Sequence, residues 1–207
     1  MLYPSLFSSI KELDISQIQP TRQSHLEEHS KAISNWLNSS NTLNLQFICT
    51  HNSRRSHFAQ IWAQALAYHF GFQNLQCYSG GTEVTKLNEN VIETIEKQGF
   101  EVTKLSGGEN SIYAIKMGEN LPAIVGFSKK YDHRFNPQKD FVAVMTCNHA
   151  DQNCPIVSGA KERLSLPFDD PKRYDETDHK AQKYAECSIQ IATELYFLFS
   201  KIKLNHA

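Results

Sequence analysis

The sequence predicts an α/β fold: a parallel four-stranded sheet, doubly wound, with helices on both faces. Three observations carry that expectation. Short apolar runs at 43–48, 75–79 and 141–145 alternate with helical segments, the signature of strand–helix–strand units. Phe141-Val142-Ala143-Val144-Met145 is apolar throughout, as a strand buried on both faces has to be. Gly71 and Gly99 stand where the two helices between the strands should stop.

The elements follow in order. Residues 1–43 form a helical extension, in which Thr21 can cap a helix through SHLEEHSKAISNWL with Leu26, Ile33 and Leu37 at helical spacing. An Asn/Ser/Thr cluster at 38–42 ends it as a loop. The main domain then spans 44–207. Leu43-Asn44-Leu45-Gln46-Phe47-Ile48 alternates as a strand, a helix runs from about Arg54 to Phe70, and a second strand follows at 75–79. Asn88 or Asn90 starts a helix through VIETIEKQ. Residues 107–138 read as an insertion, with Ile112 to Lys116 and Ala123 to Phe127 flanking Gly118-Glu119-Asn120 as a β-hairpin. After 141–145, Arg163-Leu164-Ser165-Leu166 is a short fourth strand, and an amphipathic helix runs from about His179 to Ile202.

Composition excludes several classes. The formal net charge is −1, so no global field draws nucleic acid or an anionic membrane, and any anion site must be local. The most apolar stretch, 58–72, is interrupted by Gln60, Gln64 and His69 and is shorter than the roughly 20 residues a bilayer requires. The start lacks a basic region and a long apolar run, so it is a poor signal peptide. With no such signal, 5 cysteines read as cytoplasmic thiols rather than a disulfide framework.

The chemistry concentrates in Cys49-Thr50-His51-Asn52-Ser53-Arg54-Arg55-Ser56. A strand, a tight polar loop and a helix put Cys49 at the carboxyl end of the first strand, where open α/β sheets bind ligands. The first amides of the following helix lack partners and favour an anion, and the same field favours a thiolate. Arg55 can close a planar two-pronged contact on a tetrahedral oxyanion. Ser56 can donate to the Cys49 sulfur, and Asn52 can brace the loop. The plainer alternative is a buried Cys ending a strand, with Arg54 and Arg55 as solvated charges. Against it, basic side chains suit a helix N-terminus poorly unless an anion is present.

Three further residues fit such a site. A phosphatase-type nucleophile needs an acid for the leaving oxygen; Asp170 is the candidate, fixed before Pro171, with Asp169 adding like-charge repulsion. Cys147 lies just past the apolar third strand, hence at the same sheet edge as Cys49, and Cys154 follows across a polar segment. Two thiols near a reactive thiolate suggest a disulfide relay. Zinc held with His149 or His51 is the competing use, but C-x6-C is longer than usual zinc spacing. No metal and no cofactor is expected. Cys77 and Cys187 fall in a strand and a helix and read as inert core.

Taken together, FICTHNSRRS, FAQIWA, YSGGTE, VAVMTCNHADQNCPI and FDDP resemble, in order and approximate spacing over about 44–200, the thioredoxin-coupled arsenate reductases that share the low-molecular-weight tyrosine phosphatase fold. The loop alone fits either enzyme; CNHADQNCP matches the reductases' second and third redox cysteines. The resemblance implies a flavodoxin-like fold, with Cys49 as nucleophile and Arg55 and the loop amides holding the oxyanion. It makes Asp170 the acid, Cys147 and then Cys154 the resolving cysteines, and thioredoxin the reductant. The chain departs from the family at His51, where Gly is usual, and at Arg54, where Cys or an apolar residue is common. Gln60 stands where some reductases have a Glu that helps hold a potassium ion. The extension and the insertion have no counterpart in short members, and the insertion could cover the site.

Three functions are therefore in play. The first is reduction of arsenate through a Cys49 adduct and a Cys147/Cys154 relay. The second is hydrolysis of phosphotyrosine or a small phosphate monoester, for which Cys147 and Cys154 are protective or incidental. The third is non-catalytic, an oxyanion-binding sensor or a partner-binding module, which would need neither nucleophile nor acid.

Overall fold

The computed structural model describes residues 1–39, 42–153 and 156–205. Its centre is a parallel sheet of β1 (Leu43–Cys49), β2 (Leu75–Gly81), β6 (Phe141–Met145) and β7 (Ala160–Ser165) in the order β2-β1-β6-β7. Because β1 lies between β2 and β6, the connections on its two sides leave in opposite directions. The carboxyl end of β1 is therefore the topological switch point where such sheets hold ligands, and Cys49 is its last residue.

The sheet's two faces are unequal. Leu45, Phe47, Val144 and Leu164 join a large core with α2 (Pro20–Ser39), α3 (Arg55–His69) and α6 (Lys180–Ser200). Trp62 and Tyr184 are wholly buried there, and Trp62 Nε1 donates to Ser188 Oγ at 2.9 Å. Ile48, Ala143 and Met145 point into a smaller cluster with Ala150 of α5 (Asn148–Asn153). Segment 131–136 covers part of that face, with Gln46 Nε2 donating to the Tyr131 carbonyl at 2.6 Å.

The extension shares the large core. Leu6 and Ile10 of α1 (Pro4–Lys11) and Leu26, Ile33 and Leu37 of α2 are buried in it, each burial contributing about 1.5–3 kcal/mol. Arg22 pairs with Glu194 at 2.7 Å, and Trp36 Nε1 donates to Glu162 at 2.6 Å. The expected cap at Thr21 is two residues late: the helix starts at Pro20, and Gln19 is the residue that flanks it. Pro20 takes the first helical place, which suits a residue with no N–H, and the Gln19 carbonyl accepts the Gln23 amide at 2.9 Å. Residues 40 and 41, in the loop expected after α2, lie outside the described residues.

The insertion is more than a hairpin. β4 (Tyr113–Lys116) and β5 (Ile124–Gly126) pair antiparallel as expected, but β3 (Glu101–Lys104) adds a third strand. Only Val102 of β3 is half-buried, so no apolar alternation announces it. α4 (Glu89–Lys97) begins at Asn88, whose side chain accepts from the Asn90 amide. It stops before Gly99, at φ +97, where a Cβ would meet Leu6 backbone at 2.3 Å. No helix among the described residues is long and apolar enough to cross a membrane.

Candidate active site

The loop after β1 is shaped by what its carbonyls do. Five consecutive ones accept from outside the loop. Cys49 O takes the Thr82 amide at 3.2 Å and Thr50 O the Glu83 amide at 2.8 Å. His51 O takes Ser128 Oγ at 2.9 Å and Thr85 Oγ1 at 3.1 Å. Asn52 O takes His57 Nε2 at 3.0 Å, and Ser53 O the Asn88 amide at 3.1 Å. A peptide plane with its C=O turned outward turns the next N–H inward, so the amides of residues 50–54 face the interior of the loop. Such a ring of inward amides is a cradle suited to an oxyanion.

Several side chains fix the cradle. Asn52 sits at φ +44, in the left-handed region, and its Oδ1 accepts the Lys129 amide at 2.9 Å. Burial first, then the nearby Lys129 ammonium, hold His57 well below its ordinary value, so it is neutral and its Nε2–H is free to donate to Asn52 O. Gly81 is required: a Cβ there would lie 2.7 Å from Thr50 O and 2.8 Å from Asn52 N. The insertion, expected as a possible cover, instead braces the outer side of the loop through Ser128 and Lys129.

The candidate reacting groups are close to one another. Cys49 Sγ lies 3.1 Å from Ser56 Oγ, which receives Asn52 Nδ2 at 2.9 Å. Asn52 takes one of the two acceptor positions of the Ser56 hydroxyl, which leaves its proton available to a Cys49 thiolate. Arg55 Nη1 donates to Phe168 O at 2.9 Å, and Nη2 meets Asp170 Oδ2 at 2.5 Å. Its Nε is buried without a partner among the described residues. Asp170 also caps a 3₁₀ turn, Pro171–Tyr174, through the Lys172 amide at 3.0 Å. Asp169 is 87% exposed and pairs with Arg173 at 3.6 Å, so water screens the repulsion expected between the two carboxylates. Arg54 turns away from the cradle: Nη2 pairs with Asp175 at 2.6 Å, and Nε donates to the Tyr184 hydroxyl at 2.5 Å.

The second thiol is beside the first loop residue. Cys147 is buried at the start of α5, its sulfur 3.6 Å from Thr50 Oγ1 and accepting the Ala150 amide at 3.3 Å. Thr50 Oγ1 also lies 3.2 Å from His149 Nδ1. Cys49 and Cys147 belong to one apolar cluster. Cys154 lies outside the described residues. Burial pushes the Cys77 thiol well up and that of Cys187 to about 12, so both stay protonated at neutral pH. Gln60 Nε2 donates to Cys77 O at 3.1 Å. Its oxygen is unpartnered, yet no carboxylate stands at this position, and no cluster of three or more His, Cys, Asp or Glu exists among the described residues to hold a metal. The donor set does not fit a potassium ion held by a carboxylate.

Sequence reasoning missed His57, Lys129, Asp175 and Tyr184. None belongs to a motif, and each acts through a contact formed only when distant segments meet.

The profile of the low molecular weight phosphotyrosine protein phosphatases matches residues 44–206. The chain belongs to that family. Among family relatives, it is 28% identical to arsenate reductase 2 of Staphylococcus epidermidis over 127 residues, 61% of this chain and 77% of that one. It is 26% identical to the arsenate reductase of Halalkalibacterium halodurans over 136 residues, 66% and 79% of the two chains. Its fold is similar to that of an arsenate reductase solved in the phosphate-binding state, with TM-score 0.50 and 16% identity, covering 78% of this chain and all 100% of that one. It is also similar to a low molecular weight protein tyrosine phosphatase from Bacillus subtilis, with TM-score 0.52 and 14% identity, covering 77% and 96%.

Proposed function

We propose that this enzyme reduces arsenate to arsenite. The observation that carries the reading is Cys147, a buried second thiol against the loop residue Thr50 at 3.6 Å, beside a cradle that phosphate hydrolysis would use without it. The Cys49 thiolate attacks arsenic, forming an S–As bond while one arsenate oxygen leaves as water with a proton from Asp170. Arg55 and the amides of 50–54 carry the oxyanion charge. The Cys147 thiolate then attacks Cys49 Sγ. The S–S bond forms as the S–As bond breaks, and the electron pair stays on arsenic, which becomes As(III). Cys154 attacks Cys147 and frees Cys49. A dithiol protein of the thioredoxin type reduces the Cys147–Cys154 disulfide and is itself oxidised. A bridge needs α-carbons within about 7 Å, whereas a six-residue helix such as α5 rises roughly 9 Å, so α5 must unwind in that step. The chemistry requires reduced thiols, and we assign the enzyme to the cytoplasm.

Hydrolysis of phosphotyrosine or a small phosphate ester is the second reading. It is favoured by Asp170 within reach of Arg55, since an ester leaving group needs an acid. One assay separates the two: purified protein with arsenate plus a thioredoxin system, beside the same protein with an aryl phosphate. Arsenate reduction that stops in Cys147→Ser, with aryl phosphate turnover unchanged, supports the first. No arsenate reduction by the unmodified protein, with phosphotyrosine cleaved, gives the site to the second.

A further inference from the structure

Two adjacent arginines of the loop grip the acid-bearing segment at two points. Arg55 holds Phe168 O and Asp170, and Arg54 holds Asp175. The two grips differ in one respect. Arg54, Asp175 and Tyr184 close a triangle: Arg54 Nη2 to Asp175 Oδ2 at 2.6 Å, Arg54 Nε to the Tyr184 hydroxyl at 2.5 Å, and that hydroxyl to Asp175 Oδ1 at 2.7 Å. The guanidinium is only 11% exposed, and Tyr184 is anchored edge-on against Phe58. Arg55 is unsaturated, because its Nε is buried with no partner among the described residues. Nε and Nη2 form the side-on fork that receives two oxygens of a tetrahedral oxyanion. One prong is vacant and the other is on Asp170. An oxyanion bound by the fork must displace the Asp170 carboxylate, while Nη1 can stay on Phe168 O.

We propose that Arg54, Asp175 and Tyr184 form a clasp that keeps the segment 168–175 docked while Arg55 exchanges Asp170 for the oxyanion. Asp170 is thereby released from the guanidinium at the moment the substrate arrives, yet stays beside it to deliver its proton. Arg54 is a positioning residue, which accounts for an arginine where relatives of the resembled family carry Cys or an apolar side chain. The proposal rests on Arg55 being the oxyanion clamp, as in the reading above.

Hydrogen exchange of segment 168–176 in the full-length chain tests it, read by mass spectrometry with and without saturating inorganic phosphate. Asp170→Asn alone should stay protected, because the clasp holds. Asp175→Ala should stay protected without phosphate and exchange at least tenfold faster with it, and Tyr184→Phe should fall between. The double variant Asp170→Asn/Asp175→Ala should exchange fast with no phosphate present. Protection of the phosphate-bound Asp175→Ala protein equal to wild type overturns the clasp, as does a protected double variant. If phosphate does not bind wild type at all, the clamp reading fails separately, and the ligand-free double variant still decides the clasp. A kinetic arm adds a readout that a purely structural role would not move. In Asp175→Ala, kcat for phenyl phosphate should drop about tenfold more than kcat for 4-nitrophenyl phosphate, whose leaving group needs no acid, with KM changed less than twofold. Equal losses on both esters count against the clasp.

Discussion

The two walls of the site are built on different principles. The cradle is held by backbone: five loop carbonyls accept from residues 57, 82–88 and 128, and little in that ring can change partner without unfolding it. The opposite segment, 168–175, is anchored at Phe168, whose ring is buried and whose amide donates to Thr146 O at 3.2 Å. Beyond it, Asp170 and Asp175 are tied to the loop by the side-chain charges of Arg55 and Arg54, contacts that an anion can compete for. Fixed dipoles suit a part preorganised for developing charge; exchangeable ion pairs suit the part proposed to release a proton donor when the substrate arrives.

The largest effect expected on either wall is at the thiol. Cys49→Ser should abolish arsenate reduction and ester hydrolysis, while inorganic phosphate still protects the chain against thermal unfolding. Retained turnover would detach the cradle from the chemistry. On the exchangeable wall, Asp170→Asn should slow aryl phosphate hydrolysis by about 10²–10⁴-fold, and a pH–rate profile unchanged on its acid-requiring limb would move the role elsewhere. On the fixed wall, Gly81→Ala puts a Cβ 2.7 Å from Thr50 O. Backbone cannot yield as a side chain tip can, so phosphate affinity should fall at least tenfold, read by calorimetry. An unchanged affinity would mean that the cradle is softer than its hydrogen bonds imply.

The smallest effect sharpens the comparison without touching the chemistry. Burial pushes Lys129 down to about 7 from an ordinary 10.5. Between those values the unfolded chain keeps a proton that the folded chain has lost, so stability rises with pH across that window. Below about 7 both states are protonated, and the folded state bears the full cost of the buried charge. The slope is at most about 1.4 kcal/mol per pH unit. Tyr184, raised to about 12 chiefly by burial, acts in the opposite direction, but only above its ordinary 10.0. Urea unfolding of Lys129→Met between pH 7 and 9 should give a flatter stability profile than wild type; identical slopes would place the ammonium in contact with water.

What the sequence made legible was local pattern. Apolar alternation announced β1, an unbroken apolar run announced β6, an Asn at 88 or 90 and Gly99 bounded α4, and C-x5-R-S marked the loop. β3 escaped because its outward residues Glu101, Thr103 and Lys104 leave only Val102 to bury. The pairing of Arg54 with Asp175 escaped because two charges 121 positions apart leave no periodic trace. His57 escaped for a similar reason: its ring matters through Asn52 O, and only burial tells a hydrogen-bonding imidazole from a helix-surface one.

The adjacency of β1 and β6 has a kinetic consequence. Cys49 ends one strand, and Cys147 follows the end of its immediate neighbour, about 4.8 Å away in the sheet. The proposed encounter of the two thiols is then an intramolecular step between neighbouring strand ends, with no long loop to close in search of a partner. If the two thiols react in sequence, the first disulfide forms without waiting on chain motion, and the unwinding of α5 sets the clock for the second. The turnover rate would then follow helix-destabilising substitutions within 148–153 and be indifferent to arsenate concentration once the cradle is full.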